Sequence, residues 1–346
     1  MKKLLPVFLL SMIGILAACS ASTQNNSKQS QESATLPVTL TPVTHNQRGT
    51  QIVIQPRQST IKSKQVKTET PESKNTPARI STATSPSSLT STPLTAPTLG
   101  PDDWESLPVI PQISPNAVKI YQDGVSLGND PDAFSKIGDC GSTPAWFLGD
   151  FDRDPKYYRL GENQELAVVI EEFHGSFGRT SLAAKSGFNA SSIFSSLWAD
   201  PEQCERNESP IDCEYRVHRP TIAFIMLGSN DVFHPDDFEP QMRKIIETSI
   251  SKGVLPILST KADNVEGDGR INATIARLAS DYDIPLWNYW RAVQDLPDQG
   301  LQEDKVHITW APNRFDDPLA MSRGWPIRNL NALQILDAIW KAVNTQ

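Results

Sequence analysis

Cys140 follows Gly138-Asp139 at the end of an apolar run, Ala133-Phe134-Ser135-Lys136-Ile137. A thiol lies nearer to deprotonation than a hydroxyl, and an imidazole or a helix N-terminus lowers its pKa further, so Cys140 is a candidate nucleophile. Far downstream, Asp304-Lys305-Val306-His307 sets a carboxylate three residues before an imidazole. Such a pair offers a general base and a group to orient it. Between the two lies Gly228-Ser229-Asn230-Asp231, after another apolar run, and the Asn230 amide is a donor for a developing oxyanion. Nucleophile, base, orienting acid and oxyanion donor are the parts that acyl transfer requires. The plainer alternative for Cys140 is a buried cysteine packing as a small hydrophobe.

Alternating strands and helices would have to position these groups. Residues 134–137 read as a first strand and 181–184 as a short second one. The unbroken apolar run 221–227 has the pattern of a buried parallel strand, and 254–258 and 285–289 read as two more. Helical spacing covers 164–173, 238–251, 271–282 and 330–343, and Asn189 offers an N-cap to a helix over 189–197. This order predicts an α/β fold of three layers, α/β/α, with a central parallel sheet. Ligands in such folds bind beyond the carboxyl ends of the strands, which is where Gly138-Asp139-Cys140 and Gly228-Ser229-Asn230 fall.

The order of these blocks resembles the SGNH/GDSL family of esterases and lipases over residues 131–346. The resemblance implies the flavodoxin-like fold of that family and carboxylic-ester hydrolysis. It implies Cys140, His307 and Asp304 as the catalytic group. It also implies an oxyanion hole formed by the backbone N–H groups of Cys140 and Gly187 and the amide of Asn230. Asp139, Gly228 and Asp231 are expected to shape the site. The departure is at the nucleophile: the family has serine where this chain has Cys140. Ser142, two residues on, is a weaker substitute because it would have to reach across a turn.

The N-terminus points to export. Met1-Lys2-Lys3 precedes an apolar stretch from Leu4 to Leu16, too short for a comfortable bilayer span, and Leu16-Ala17-Ala18-Cys19 looks like a bacterial lipobox. Residues 1–18 are therefore expected to be a lipoprotein signal peptide, and Cys19 the lipidated residue of an extracytoplasmic protein anchored to the cell membrane or outer membrane. Residues 19–100 are rich in Ser, Thr, Pro, Gln and Asn, a composition that buries too little apolar surface to offset the entropy of ordering, and so read as a disordered tether. Residues 101–346 form the expected hydrolase domain.

Charge divides along the same line. Residues 1–100 carry ten of the 32 Lys+Arg and three of the 40 Asp+Glu, which leaves 22 basic and 37 acidic residues and a net of −15 from residue 101 onward. A strongly acidic domain argues against nucleic-acid binding. No phosphate-binding glycine loop is present, and no cofactor is implied. Nor is a metal site, since no second Cys or His pair with ligand spacing lies near Cys204 and Cys213. These two bracket a polar loop suited to a disulfide in an oxidising compartment. All eight tryptophans fall after residue 101, and Trp310, close to His307, is a candidate for stacking on a sugar ring.

Two functions fit the sequence. One is a lipid-anchored hydrolase of acyl or acetyl esters, small or carried on polysaccharide. The other is a non-catalytic surface protein that keeps the pocket to bind carbohydrate or acyl groups. Under either, alkylation of the unreduced protein followed by peptide mass spectrometry is expected to label Cys140 and to leave Cys204 and Cys213 unmodified. Labelling of Cys204 without reductant would contradict the pairing.

Overall fold

A computed structural model of the chain describes residues 103–345. The signal peptide, Cys19 and the tether lie outside the described residues. Helix α1 (Pro115–Ser126) starts with Ser114, whose side chain accepts the N–H of Ala117, and with proline in the first turn, both favourable at a helix start. It leads into β1 (Asp130–Gly138). There follow a two-residue strand β2 (Tyr158–Arg159), α2 (Ala167–Glu172) and α3 (Pro210–His218). Next come β3 (Pro220–Met226), α4 (Pro235–Ser251), β4 (Leu255–Ser259) and α5 (Arg270–Asp281). The chain closes with β5 (Leu286–Trp287), α6 (Tyr289–Val293), β6 (Asn313–Arg314) and the long α7 (Gly324–Asn344).

The main sheet is parallel throughout, in the order β1-β3-β4-β5. Every residue of β3 and of β4 is buried, so both faces of the sheet are covered by helices and the architecture is three-layered α/β/α. Helix α7 packs with α1, α2 and α6, while α4 and α5 pack together against β4. The segment expected as a second strand, 181–184, is reduced to a single parallel bridge between Ala184 and Gly138. Because Gly138 also pairs with Met226 of β3, that bridge lies on the opposite edge of β1. The expected helix over 189–197 is two short 3-10 turns, Ser192–Phe194 and Ser196–Trp198. The strand expected over 285–289 stops at Trp287, because the side chain of Asn288 caps α6 by accepting the N–H of Arg291.

An aromatic core backs the sheet. Phe134 packs edge-on to Phe173, Phe177 and Phe224, and Phe147 and Phe224 both meet Trp287. Trp287 is thus a packing residue. Cys204 and Cys213 form the disulfide, with Cα atoms 5.3 Å apart, and join the start of α3 to the loop before it. Glu208 lies beside the pair, but both sulfurs are committed to each other.

Glu214 of α3 fixes the segment that flanks β1. Its buried carboxylate takes the Arg179 guanidinium at 2.7 Å, the Leu182 N–H at 2.7 Å and the Ser135 hydroxyl. Arg179 also donates to the carbonyl of Phe134 at 2.7 Å. Lys136 is buried alongside, its ammonium donating to the carbonyl of Phe177 at 2.7 Å. Burial first, and then the Arg179 charge, push the Lys136 pKa down to about 7. Removing one partner of such a buried pair strands the other charge. Glu214→Ala is therefore expected to cost about 3–5 kcal/mol in urea denaturation. A loss below about 1 kcal/mol, the worth of an exposed pair, would contradict this network.

Candidate active site

A cavity of about 470 Å³ opens at the carboxyl ends of the strands. Asp139 and Cys140 reach it from β1, Asn230 from the turn after β3, and Lys261 and Asp263 from the loop after β4. Gly187 lines another wall, Asp304 and His307 come from the loop before β6, and Trp325 and Arg328 from α7. The structure thus brings Cys140, His307, Asp304, Asn230, Gly187 and Asp139 to one cavity from separate stretches of chain. Gly228 and Asp231 stand behind its lining.

Cys140 opens a 3-10 turn, Cys140–Ser142, directly after β1. Asp139 caps the turn by accepting the N–H of Gly141 at 2.9 Å, and the Thr143 hydroxyl donates to the carbonyl of Cys140 at 2.8 Å. Burial pushes the Asp139 carboxyl up, while Arg328 and the Gly141 N–H pull it back. Ser142 is fully buried under the turn and does not line the cavity, so the nucleophile candidate at this strand end is Cys140.

His307 rides on a tight loop. Leu301 and Ile308 form an antiparallel bridge, and Gln302 donates its N–H to the carbonyl of His307 at 2.7 Å. Within the loop, one Asp304 oxygen accepts the N–H groups of Val306 and His307 at 3.0 and 2.9 Å. The other lies 2.6 Å from His307 Nδ1. The carboxylate therefore fixes ring orientation and assigns the proton to Nδ1, leaving Nε2 as the basic nitrogen. Burial raises the Asp304 pKa, and the hydrogen bonds from His307 and the two N–H groups outweigh it, holding the carboxyl below the usual range. Spacing alone does not select this pair. Glu171 precedes His174, and Asp231 precedes His234, by the same three residues, yet neither imidazole lines the cavity.

The oxyanion side is built from two turns. Asn230 donates one amide N–H to the carbonyl of Phe188 at 2.9 Å, which orients the side chain and leaves its second N–H. Gly187 sits at φ 82°, a conformation that favours glycine, with open space where a side chain would be. Asp231 ties the two turns together, accepting the N–H of Ala190 at 2.9 Å, and is only 4% exposed. Its second oxygen is buried without a hydrogen-bond partner. Burial pushes its pKa up to about 6, against the pull of backbone N–H groups.

Several cavity residues were not legible from motifs. Lys261 is buried against two carboxylates, Asp263 at 2.7 Å and Glu266 at 2.6 Å, and the Ser229 hydroxyl donates to Asp263 at 2.6 Å. Its place just past β4 was the available signal, because strand ends face the cavity. Arg328 lies on the stripe of α7 that also carries Trp325, Ala332 and Leu336, all buried. A charged residue on an apolar stripe was the signal there. The tryptophans in the cavity wall are Trp146 and Trp325, stacked at 5.7 Å, whereas Trp310 is 60% exposed and does not line it.

Asp231 generates a pH-dependent stability. Its folded pKa lies above its unfolded value, so the protonated form stabilises the fold below about pH 4, and that contribution is lost as pH rises toward 6. Two pKa units correspond to about 3 kcal/mol. Asp231→Asn keeps an oxygen for Ala190 and removes the charge. The stability of wild type relative to this variant is expected to fall by about 2–3 kcal/mol between about pH 4 and pH 6.5 in urea melts. A pH-independent difference would contradict the raised pKa.

No family model and no curated protein matches the sequence. Solved structures similar in fold include a protein assigned to the lipolytic G-D-S-L family from Desulfitobacterium hafniense. It is 13% identical, with a TM-score of 0.37 over 59% of this chain and 99% of that one. Another is a GDSL-like lipase from Bacteroides thetaiotaomicron, 16% identical with a TM-score of 0.36 over 66% of this chain and 98% of that one. A third is a mutant of an acetyl-xylooligosaccharide esterase from Geobacillus, 15% identical with a TM-score of 0.37 over 60% of this chain and 95% of that one. These are what the chain is similar to; its own strand order and covering helices give a parallel α/β/α sandwich.

Proposed function

We propose that this protein is an esterase-type hydrolase that cleaves acyl or acetyl esters through Cys140, His307 and Asp304. The supporting observation is the Asp304–His307 contact at 2.6 Å in a cavity that also contains Cys140, Asn230 and Gly187. In this mechanism the Cys140 sulfur, its proton transferred to His307 Nε2, attacks the ester carbonyl and forms a C–S bond. Negative charge passes to the carbonyl oxygen, where the N–H groups of Cys140, Gly187 and Asn230 receive it. Collapse breaks the C–O bond, and His307 returns the proton to the departing alcohol. Water then attacks the thioester, giving its proton to His307, and the C–S bond breaks to release the acid and regenerate the thiol. Asp304 stays ionised throughout and stabilises the imidazolium.

The same intermediate is open to any acyl acceptor that reaches the cavity, so thioester hydrolysis and acyl transfer belong to the same chemistry. Small acyl esters and acetylated polysaccharide are the proposed substrates, and the N-terminal features support a lipid-anchored, extracytoplasmic setting with residues 19–100 as tether. A binding protein on the same fold is the competing reading, favoured by the absence of the family's serine. The two are separated by hydrolysis of a short-chain aryl acetate with the full chain. His307→Ala is expected to reduce kcat/KM at least about 100-fold, the usual contribution of a general base. Cys140→Ala should abolish the remainder. Wild-type turnover no greater than that of both variants would support the binding protein instead.

A further inference from the structure

Ser229 lies in the turn after β3, is half-buried, and lines the cavity beside Asn230. Its hydroxyl donates to one oxygen of Asp263 at 2.6 Å. The other Asp263 oxygen takes the Lys261 ammonium at 2.7 Å, so this side chain is an ion-paired carboxylate, which can only accept hydrogen bonds. The single Ser229 proton is therefore committed to the wall, and the lone pairs of Oγ are what remain for a ligand. A hydroxyl that donates to a carboxylate is polarised, and so accepts more strongly.

The wall behind Ser229 is short of donors. Lys261 directs its three protons to the Asp263 carboxylate, the Asp263 carbonyl at 3.0 Å and Glu266 at 2.6 Å. Two carboxylates outnumber one ammonium, and the second Glu266 oxygen is buried with no hydrogen-bond partner. Buried Asn272 of α5 holds the loop in place, accepting the N–H of Lys261 and donating to its carbonyl, each at 2.9 Å. Gly228 sits at φ 131°, and a Cβ there would lie 3.2 Å from Lys261 Cδ and 2.9 Å from the Ile271 side chain. Glycine thus lets the Ser229 turn close on the loop after β4.

We propose that Ser229 is a specificity-determining residue, an acceptor that selects esters whose alcohol half carries a second hydroxyl next to the scissile oxygen. This deepens the esterase reading and rests on it for the reaction. The substrate O–H donates to Ser229 Oγ, and Ser229 donates in turn to Asp263. Ser229 adjoins Asn230 in the chain, so the contact falls beside the bound carbonyl. An acetyl or other simple acyl group carries no donor, which leaves the alcohol half to supply it. Polyols and sugars have a hydroxyl on the carbon next to the ester, whereas plain alkyl and aryl alcohols do not. Those plain esters leave the Ser229 acceptor unanswered once water is displaced.

The test compares trans-2-hydroxycyclohexyl acetate with cyclohexyl acetate, which differ by that hydroxyl, as substrates of the full chain. The ratio of their kcat/KM values is expected to fall by about 3–10-fold in Ser229→Ala, the contribution of one neutral hydrogen bond, while hydrolysis of an aryl acetate stays within about twofold of wild type. The intrinsic reactivity of the two esters cancels in this comparison. Ser229→Thr, which keeps the hydroxyl, should keep the ratio near that of wild type. A ratio unchanged in Ser229→Ala overturns the proposal and gives any preference to another acceptor of the wall, such as the Thr143 hydroxyl. If wild type turns over none of these esters, binding of trans-1,2-cyclohexanediol against cyclohexanol, read by tryptophan fluorescence, decides instead. Tighter binding of the diol that is lost in Ser229→Ala would leave the donor recognition standing and remove the esterase reading. Equal binding of the two alcohols would overturn the proposal.

Discussion

Thr309 joins the two halves of the candidate site. Its backbone N–H donates to the carbonyl of Gly300 at 2.7 Å, which closes the loop carrying Asp304 and His307. Its carbonyl accepts the N–H of Trp325 at 3.0 Å, and its hydroxyl accepts the N–H of Gly324 at 2.9 Å. These last two are orphan donors of the first turn of α7, which a helix cannot satisfy internally. The base-bearing loop is therefore fastened to the start of the helix that brings Arg328 to the carbonyl of Gly141, in the nucleophile turn. Close approach is possible because residue 324 is glycine: a Cβ there would collide with the side chain of Ile308 and lie 2.7 Å from the carbonyl of Gly300.

From that junction the aromatic core transmits order in both directions. Trp325 stacks on Trp146, and Arg328 rests among Trp325, Phe147, Tyr289 and Trp287. Phe147 and Trp287 continue into Phe224 of β3, at the centre of the sheet. A close-packed interior of this kind resists small displacements. The nucleophile turn, the His307 loop and the α7 guanidinium thus share one rigid backing, although the turn is far in sequence from the other two. On the other wall, Asp231 links the Asn230 turn to the one after Gly187, and Glu214 pins the segment that leads there.

The parallel sheet was legible because buried strands are continuous apolar runs, and 221–227 and 254–258 differ from β3 and β4 by one residue at either end. Short or irregular elements were less so. Segment 181–184 satisfies its backbone mainly through Glu214 and Gly138, and residues 189–197 make turns where the Asn189 side chain accepts the N–H of Ser192 without a helix following. Local propensity does not report such long-range partners. The acid three residues before a histidine was equally undiscriminating, since three histidines have one and a single imidazole of the three lines the cavity.

The sequence by itself determined the alternation of strands and helices, the candidate nucleophile, base and oxyanion amide, and the pairing of Cys204 with Cys213. Each of these is carried by local pattern, spacing or residue chemistry. Tertiary structure alone decided that Ser142 is buried while Cys140 faces the cavity, that Trp310 lies outside the wall that Trp146 and Trp325 form, and that an arginine from the last helix reaches the carbonyl of Gly141 in the same cavity wall. Those outcomes depend on which side chains meet across the layers, and the free energy that sets such contacts is shared among residues distant in sequence.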